Sequence, residues 1–167
     1  MVKQKNIPEL RFPEFEGDWN VNRFDEITSK IGDGIHGTPK YDESGKYFFI
    51  NGNNLLNGEI IITDSTLKVS EDEFLIHYRN LNNKTILMSI NGTIGNLAFY
   101  NGEPVVLGKS AAYITINEGV DYKFIYTLLQ TSHIKDFFSS KLTGSTIKNL
   151  SLKTIRETKL LLPSSVE

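Results

Sequence analysis

TGSTIKNLSLKTIRETKLLLPSSVE closes the chain, from Thr143 to Glu167. A Gly-Ser-Thr turn is followed by Lys148, Lys153, Arg156 and Lys159, with Glu157 the one acid among them. An apolar run, Leu160 to Leu162, ends at Pro163. Small hydroxyls, an amide and spaced cations are donors suited to phosphate oxygens and base edges. Ser145, Thr146, Lys148, Asn149 and Lys153 are therefore candidate DNA contacts, with the Leu run anchoring them to a core. A plainer reading is also open: a turn, a solvated helix face and a last strand.

Upstream, the chain alternates short apolar runs with turn signals. Met1 to Gly17 has two prolines and no period, and reads as an extended lead-in with Phe12, Phe15 and Trp19 as anchors. Arg23–Ile27 reads as a short helix and Thr28–Ile31 as a strand. Tyr47–Ile50 and Glu59–Ile62 are aromatic or branched strands, with Asn57-Gly58 as a turn before the second. Ser70 with Glu73 has the spacing of a capping box for a helix to about Tyr78. Thr85–Ile90 reads as a buried strand, followed by a tight loop at Asn91-Gly92 and Gly95-Asn96. Leu97–Tyr100, Val105–Leu107 and Ala111–Ile116 are further strands. Phe124, Ile125, Leu128 and Leu129 give the helical period over Asp121–Gln130, and Ser132 is placed to cap a second helix to about Lys141. Many short strands with a late helical pair predict an α+β fold, and 167 residues suffice for one domain with a sizeable core.

Composition bounds the function. Apolar residues are 39% and charged residues 23%, an ordinary soluble balance. No apolar run approaches a membrane span, and no signal segment follows the basic start. With no cysteine there is neither a disulfide framework nor thiolate chemistry, which is compatible with a cytoplasmic chain. The net charge of −2 is divided unevenly. Residues 1–121 hold 11 Lys+Arg against 17 Asp+Glu, and residues 122–167 hold 7 against 3. A basic patch of that kind can bind DNA on a chain that is acidic overall.

Several constellations could carry chemistry. Gly32-Asp33-Gly34-Ile35-His36-Gly37 is a literal G-x-G-x-x-G. A dinucleotide site needs a helix to open at those glycines, but Thr38-Pro39 and a polar stretch without helical period follow. A loop whose backbone approaches something closely is the better reading. Asn51, Asn53 and Asn54 carry amides able to read adenine bidentately, although Asn also serves turns. Asn91 and Thr93, with Lys109 and Ser110 after the next strand, form another candidate group. Of these, Thr93 and Lys109 are required by no turn. No catalytic set is apparent: His36, His77 and His133 have no metal-ligand spacing, the serines lack a nucleophile elbow, and no methyltransferase signature is present.

The ordered set of motifs resembles a known family. "IPELRFPEFEGDW", "IGDGIHGTPKY" followed by "YFFINGNNLLNGEI", and "GSTIKNLSLKTI" before an apolar strand and "LP" are together similar to a target recognition domain of a type I restriction-modification specificity subunit. That resemblance implies a curved, mixed or antiparallel sheet of short strands with a few short helices. It implies a non-catalytic module spanning residues 1–167 that reads one half of a bipartite target in double-stranded DNA. It places the glycine loop near DNA, which nominates Thr38, Lys40 and Tyr41. It also implies methyltransferase and restriction subunits as partners, held through helices absent from this chain, with S-adenosylmethionine, ATP and Mg belonging to those partners. In the family a long helix opens about where this chain stops, at Glu167. The alternative is a protein-interaction domain whose basic C-terminal face binds an acidic partner.

Overall fold

The computed structural model describes residues 18–163. The lead-in and its anchors Phe12 and Phe15 lie outside them, as do the last four residues. The strands are β1 (Trp19–Arg23), β2 (Thr28–Asp33), β3 (Tyr47–Ile50), β4 (Leu55–Leu56), β5 (Glu59–Ile60) and β6 (Lys68–Val69), then β7 (Thr85–Ser89), β8 (Leu97–Phe99), β9 (Val105–Leu107), β10 (Ala111–Ile116) and β11 (Lys159–Pro163). The helices are α1 (Glu71–His77), α2 (Tyr122–Leu129), α3 (Ser132–Ser140) and α4 (Leu152–Glu157), with single 3-10 turns at Phe24–Glu26 and Gly52–Asn54.

Among the described residues the strands form four small sheets. β2-β10-β7-β8 is antiparallel throughout, whereas β6-β3-β9 has one parallel pair, β3 with β9. β4 and β5 make a hairpin, and β1 pairs with β11. The α+β expectation therefore holds, with the strands divided among several sheets.

β7 shows why. All five of its residues are buried. Alternate side chains of a strand face opposite sides, so Ile86 and Met88 enter the main core with Ile114, Ile125, Phe138, Leu150 and Ile155. Leu87 enters a second cluster on the other face, with Ile50, Leu55 and Leu107. A strand covered on both faces reads as a continuous apolar run. Its one polar pair is matched: the hydroxyls of Thr85 and Thr115, cross-strand partners, lie 2.9 Å apart.

Local signals set most element ends. Asn57 and Gly58 take φ of 51° and 90°, the left-handed pair that a two-residue hairpin turn requires. Asp121 caps α2 by accepting from the N–H groups of Lys123 and Phe124. Ser70 caps α1 through the Glu73 N–H, but only this half of the capping box forms. The Glu73 carboxylate turns instead to the Lys40 N–H and to His77.

Other expectations need correction. Ser132 is the first residue of α3, and Thr131 occupies the cap without a side-chain capping bond, its hydroxyl donating back to the Leu128 carbonyl instead. β5 ends at Ile60, not Ile62: the Ile61 N–H still bonds the Asn54 carbonyl, but Asn54 belongs to the Gly52–Asn54 3-10 turn, so the paired strand goes no further. β1, β4 and β6 carry no local strand signal, and their partners decide them. Trp19 is a strand residue opposite Pro163, and its ring meets Phe124 edge-on.

Candidate nucleic-acid interface

The C-terminal ends of β2, β3, β7 and β9 open on one edge, where their loops lock together through backbone bonds. Ile35 N–H donates to the Leu107 carbonyl, and Gly108 N–H to Ile50. Ile90 N–H donates to the Ser110 carbonyl, and Leu150 N–H to Ile90. Gly92 N–H donates to Lys148, and Asn91 pairs with Asn149. The C-terminal turn, nearly sixty residues downstream of β7, is thus drawn onto the same rim as the glycine loops.

This packing explains the G-x-G-x-x-G. A Cβ on Gly34 would press into the Leu107 carbonyl and reach within 2.5 Å of the Gly108 oxygen. On Gly37 it would meet nothing within 4 Å. The motif serves close passage of β2 against β9, and no helix opens after it.

The fold separates the candidate residues by what their side chains already do. Ser110 accepts from the Gly52 N–H at 2.9 Å and donates to Asn51 Oδ1 at 2.8 Å, so its hydroxyl ties two loops together. Asn54 accepts from Asn51 N–H and donates to the Ile61 carbonyl, which occupies both ends of its amide. Asn149 exchanges backbone bonds with Thr143. Asn91 is half-buried beside it. In contrast, Asn53, Thr93 and Lys109 are exposed, and their side chains make no hydrogen bond among the described residues. Ser145 and Thr146 are exposed in the C-terminal turn, which Lys148 closes by donating to the Gly144 carbonyl at 3.1 Å.

The loop after β2 extends the rim on its other side. Pro39 is buried, Thr38 and Lys40 are exposed, and Tyr41 pairs with Val69 while its ring rests 5.9 Å from that of Phe49. The Ser44 hydroxyl and N–H, both bonded to Asp42, hold its carboxyl below the usual carboxylate range and fix the turn that follows. Lys153 is exposed on α4, three residues beyond Leu150.

Sequence reasoning missed one wall of this edge. Asn51, Asn53 and Asn54 line a cleft of about 360 Å³ together with the hydroxyl residues Thr63, Ser65 and Thr66 and the apolar residues Phe49, Ile61 and Leu67. The available signal was the hydroxyl-rich Thr63-Asp64-Ser65-Thr66, which a chain without helical or strand period there leaves as plain loop. Among the described residues no three His, Cys, Asp or Glu side chains come together as a metal set, and no helix is long and apolar enough to cross a membrane.

Residues 16–167 match the family described as the type I restriction modification DNA specificity domain. The chain belongs to that family. Solved structures agree in fold. The S subunit of a type I restriction-modification system from M. genitalium has a TM-score of 0.62 at 19% identity, over 94% of this chain and 37% of that one. The HsdS subunit from Thermoanaerobacter tengcongensis gives 0.61 at 16%, over 95% and 36%. A structure described as the basis of complex assembly and conformational transition of the type I R-M system gives 0.56 at 17%, over 95% and 37%. At these identities the likeness is one of fold, and the specificity domain spans little more than a third of each. No curated protein matches the chain.

On this specificity domain the rim cations are not drawn into ion pairs, although the Glu73 carboxylate accepts from the Lys40 backbone N–H. Lys40, Lys109, Lys148 and Lys153 form no ion pair among the described residues, whose pairs are Arg23–Asp25, His36–Asp33, His77–Glu73 and Lys84–Glu118. A lysine with no carboxylate beside it keeps its charge available to phosphate.

Proposed function

We propose that this chain reads one half of a bipartite double-stranded DNA target, with no chemistry of its own. The observation that carries this reading is the locked rim, where exposed Asn53 and Thr93 stand with Lys109 and Lys148, which have no ion-pair partner among the described residues. Rigid backbone bonding among the loops keeps such groups oriented before binding, which lowers the ordering cost. Methyltransferase and restriction subunits would act at the site so marked. S-adenosylmethionine, ATP and Mg would belong to them.

Fluorescence anisotropy with labelled duplexes across a salt series tests the reading. Each phosphate neutralised contributes about −0.9 to the slope of log K against log salt. Four rim lysines predict a slope of about −3 to −4. Absence of binding to any duplex at low salt would favour the protein-interaction alternative.

Two substitutions separate positioning from reading. Lys109→Ala removes a point charge, so binding to every sequence is expected to weaken about equally and the slope to flatten by about one unit. Lys148→Ala is expected to do the same while also releasing the Gly144 carbonyl. Asn53→Ala removes an amide that the fold does not use. It is expected to cost about 1–3 kcal/mol of discrimination between the preferred half-site and others, with the slope unchanged. Equal losses on specific and nonspecific duplexes, in a variant with a normal melt, would remove Asn53 from base reading.

A further inference from the structure

The cleft beside Asn53 joins the Asn51–Asn54 turn to a segment, Thr63–Leu67, that belongs to no motif in the sequence, and the two are tied at both ends. At one end Phe49 N–H donates to the Leu67 carbonyl at 2.8 Å. At the other, Ile61 N–H donates to the Asn54 carbonyl at 2.7 Å and the Asn54 amide returns a bond to Ile61. The opening is therefore held by β-type bonds and does not depend on a ligand to form it. Its lining includes no cation and no carboxylate. A phosphate would lose hydration there without a charge to replace it, so the fitting ligand is uncharged.

The lining divides by chemistry. Its apolar part is Phe49, Ile61 and Leu67. The Thr63 hydroxyl lies 2.9 Å from that of Ser65 and 3.5 Å from that of Thr66, which also accepts from the Thr63 N–H. This chain of three hydroxyls keeps one proton for a ligand, carried by Ser65 when Thr63 donates to it. Of the four bases, thymine alone presents a hydrogen-bond acceptor beside a methyl group in the major groove, O4 next to the C5-methyl. Guanine offers acceptors without a methyl, and cytosine offers a donor.

Resting on the DNA-reading proposal above, we infer that this cleft reads a thymine: its C5-methyl settles against the apolar lining of Phe49, Ile61 and Leu67 and its O4 accepts from the Thr63–Ser65 hydroxyls. Asn53, in the same lining, is then placed to meet the adjoining base pair. The loop Thr63–Thr66 is a second specificity-determining segment, independent of the rim cations.

The full 167-residue chain would be used to enrich duplexes from a randomised pool, and each thymine of the enriched motif replaced singly by deoxyuridine, which removes only the methyl. One thymine is expected to matter, its replacement weakening binding about fourfold, the worth of one buried methylene. Leu67→Ala is expected to bind the thymine and uridine duplexes equally. Ser65→Ala is expected to relax the preference at that position by about fivefold or more. Leu67 and Ser65 are both exposed, so melts of these variants should match the parent. An enriched motif without any methyl-sensitive thymine, or sensitivity that survives in both variants, overturns the thymine assignment and leaves DNA reading intact. Enrichment of no motif at all overturns both.

Discussion

Replacing Gly34 by alanine is expected to destabilise the fold by about 3 kcal/mol or more, whereas Gly37→Ala in the same motif is expected to change it by less than about 0.5 kcal/mol. The added methyl at Gly34 would collide with the Leu107 carbonyl and the Gly108 oxygen, which are backbone atoms of β9 and its loop. Neither can swing aside as a side chain would. β9 is held on one side by β3 and on the other by the Ile35–Leu107 bond, so relief at Gly34 requires the rim to part. Gly37 lies in open space. Gly32 falls between them, because the atoms nearest its added methyl belong to Tyr113, a side chain able to rotate. Urea titrations of the three alanine variants check the ranking. If Gly34→Ala and Gly37→Ala unfold at the same midpoint, the close passage of β2 and β9 is not what the motif supports.

Leu150→Ala carries a similar cost for a different reason. Leu150 is fully buried in the main core and its N–H holds the Ile90 carbonyl at 2.9 Å. Truncating such a leucine costs about 2–5 kcal/mol, depending on how far the surroundings collapse into the space. For a domain of ordinary stability that is a large share of the total. The functional effect follows from position. Leu150 ends the turn that brings Lys148 and Asn149 against Asn91, so loss of its anchor releases a basic segment from the rim. Thermal melts would report the stability loss, and anisotropy below the melting range would show weakened DNA binding with a flattened salt slope. Leu150→Met conserves most of the volume and is expected to cost less than about 1.5 kcal/mol while keeping the slope. A Leu150→Ala chain that melts like the parent would contradict the anchoring role.

What could be read in the chain itself was whatever a few neighbouring residues decide. The Asn57-Gly58 turn, the Ser70 cap, the apolar stripe of α2 and the continuous burial of β7 all follow from hydrogen bonds or periodicities within a few positions. The ordered motifs also carried the family resemblance, which the match over residues 16–167 supports. β1 could not be read in the same way. Trp-Asn-Val-Asn-Arg has no strong strand signal, and it becomes a strand because β11 pairs with it from the far end of the chain, Trp19 opposite Pro163. The two-residue strands β4 and β6 depend likewise on what lies beside them.

The candidate interface divides along the same line. Residue types nominated Asn51, Asn53, Asn54, Lys109 and Ser110 alike, since an amide or a hydroxyl has the same donors wherever it stands. Tertiary contacts then turned Asn51, Asn54 and Ser110 inward to tie β3, its turn and the β9 loop, and left Asn53 and Lys109 facing out. They also bring Thr63 and Ser65 into one cleft with Asn53. Local sequence determines which hydrogen-bonding groups a segment owns and which turns it prefers. Whether a group is consumed by the fold or remains for a ligand depends on partners distant in the chain, and only their meeting in three dimensions decides it.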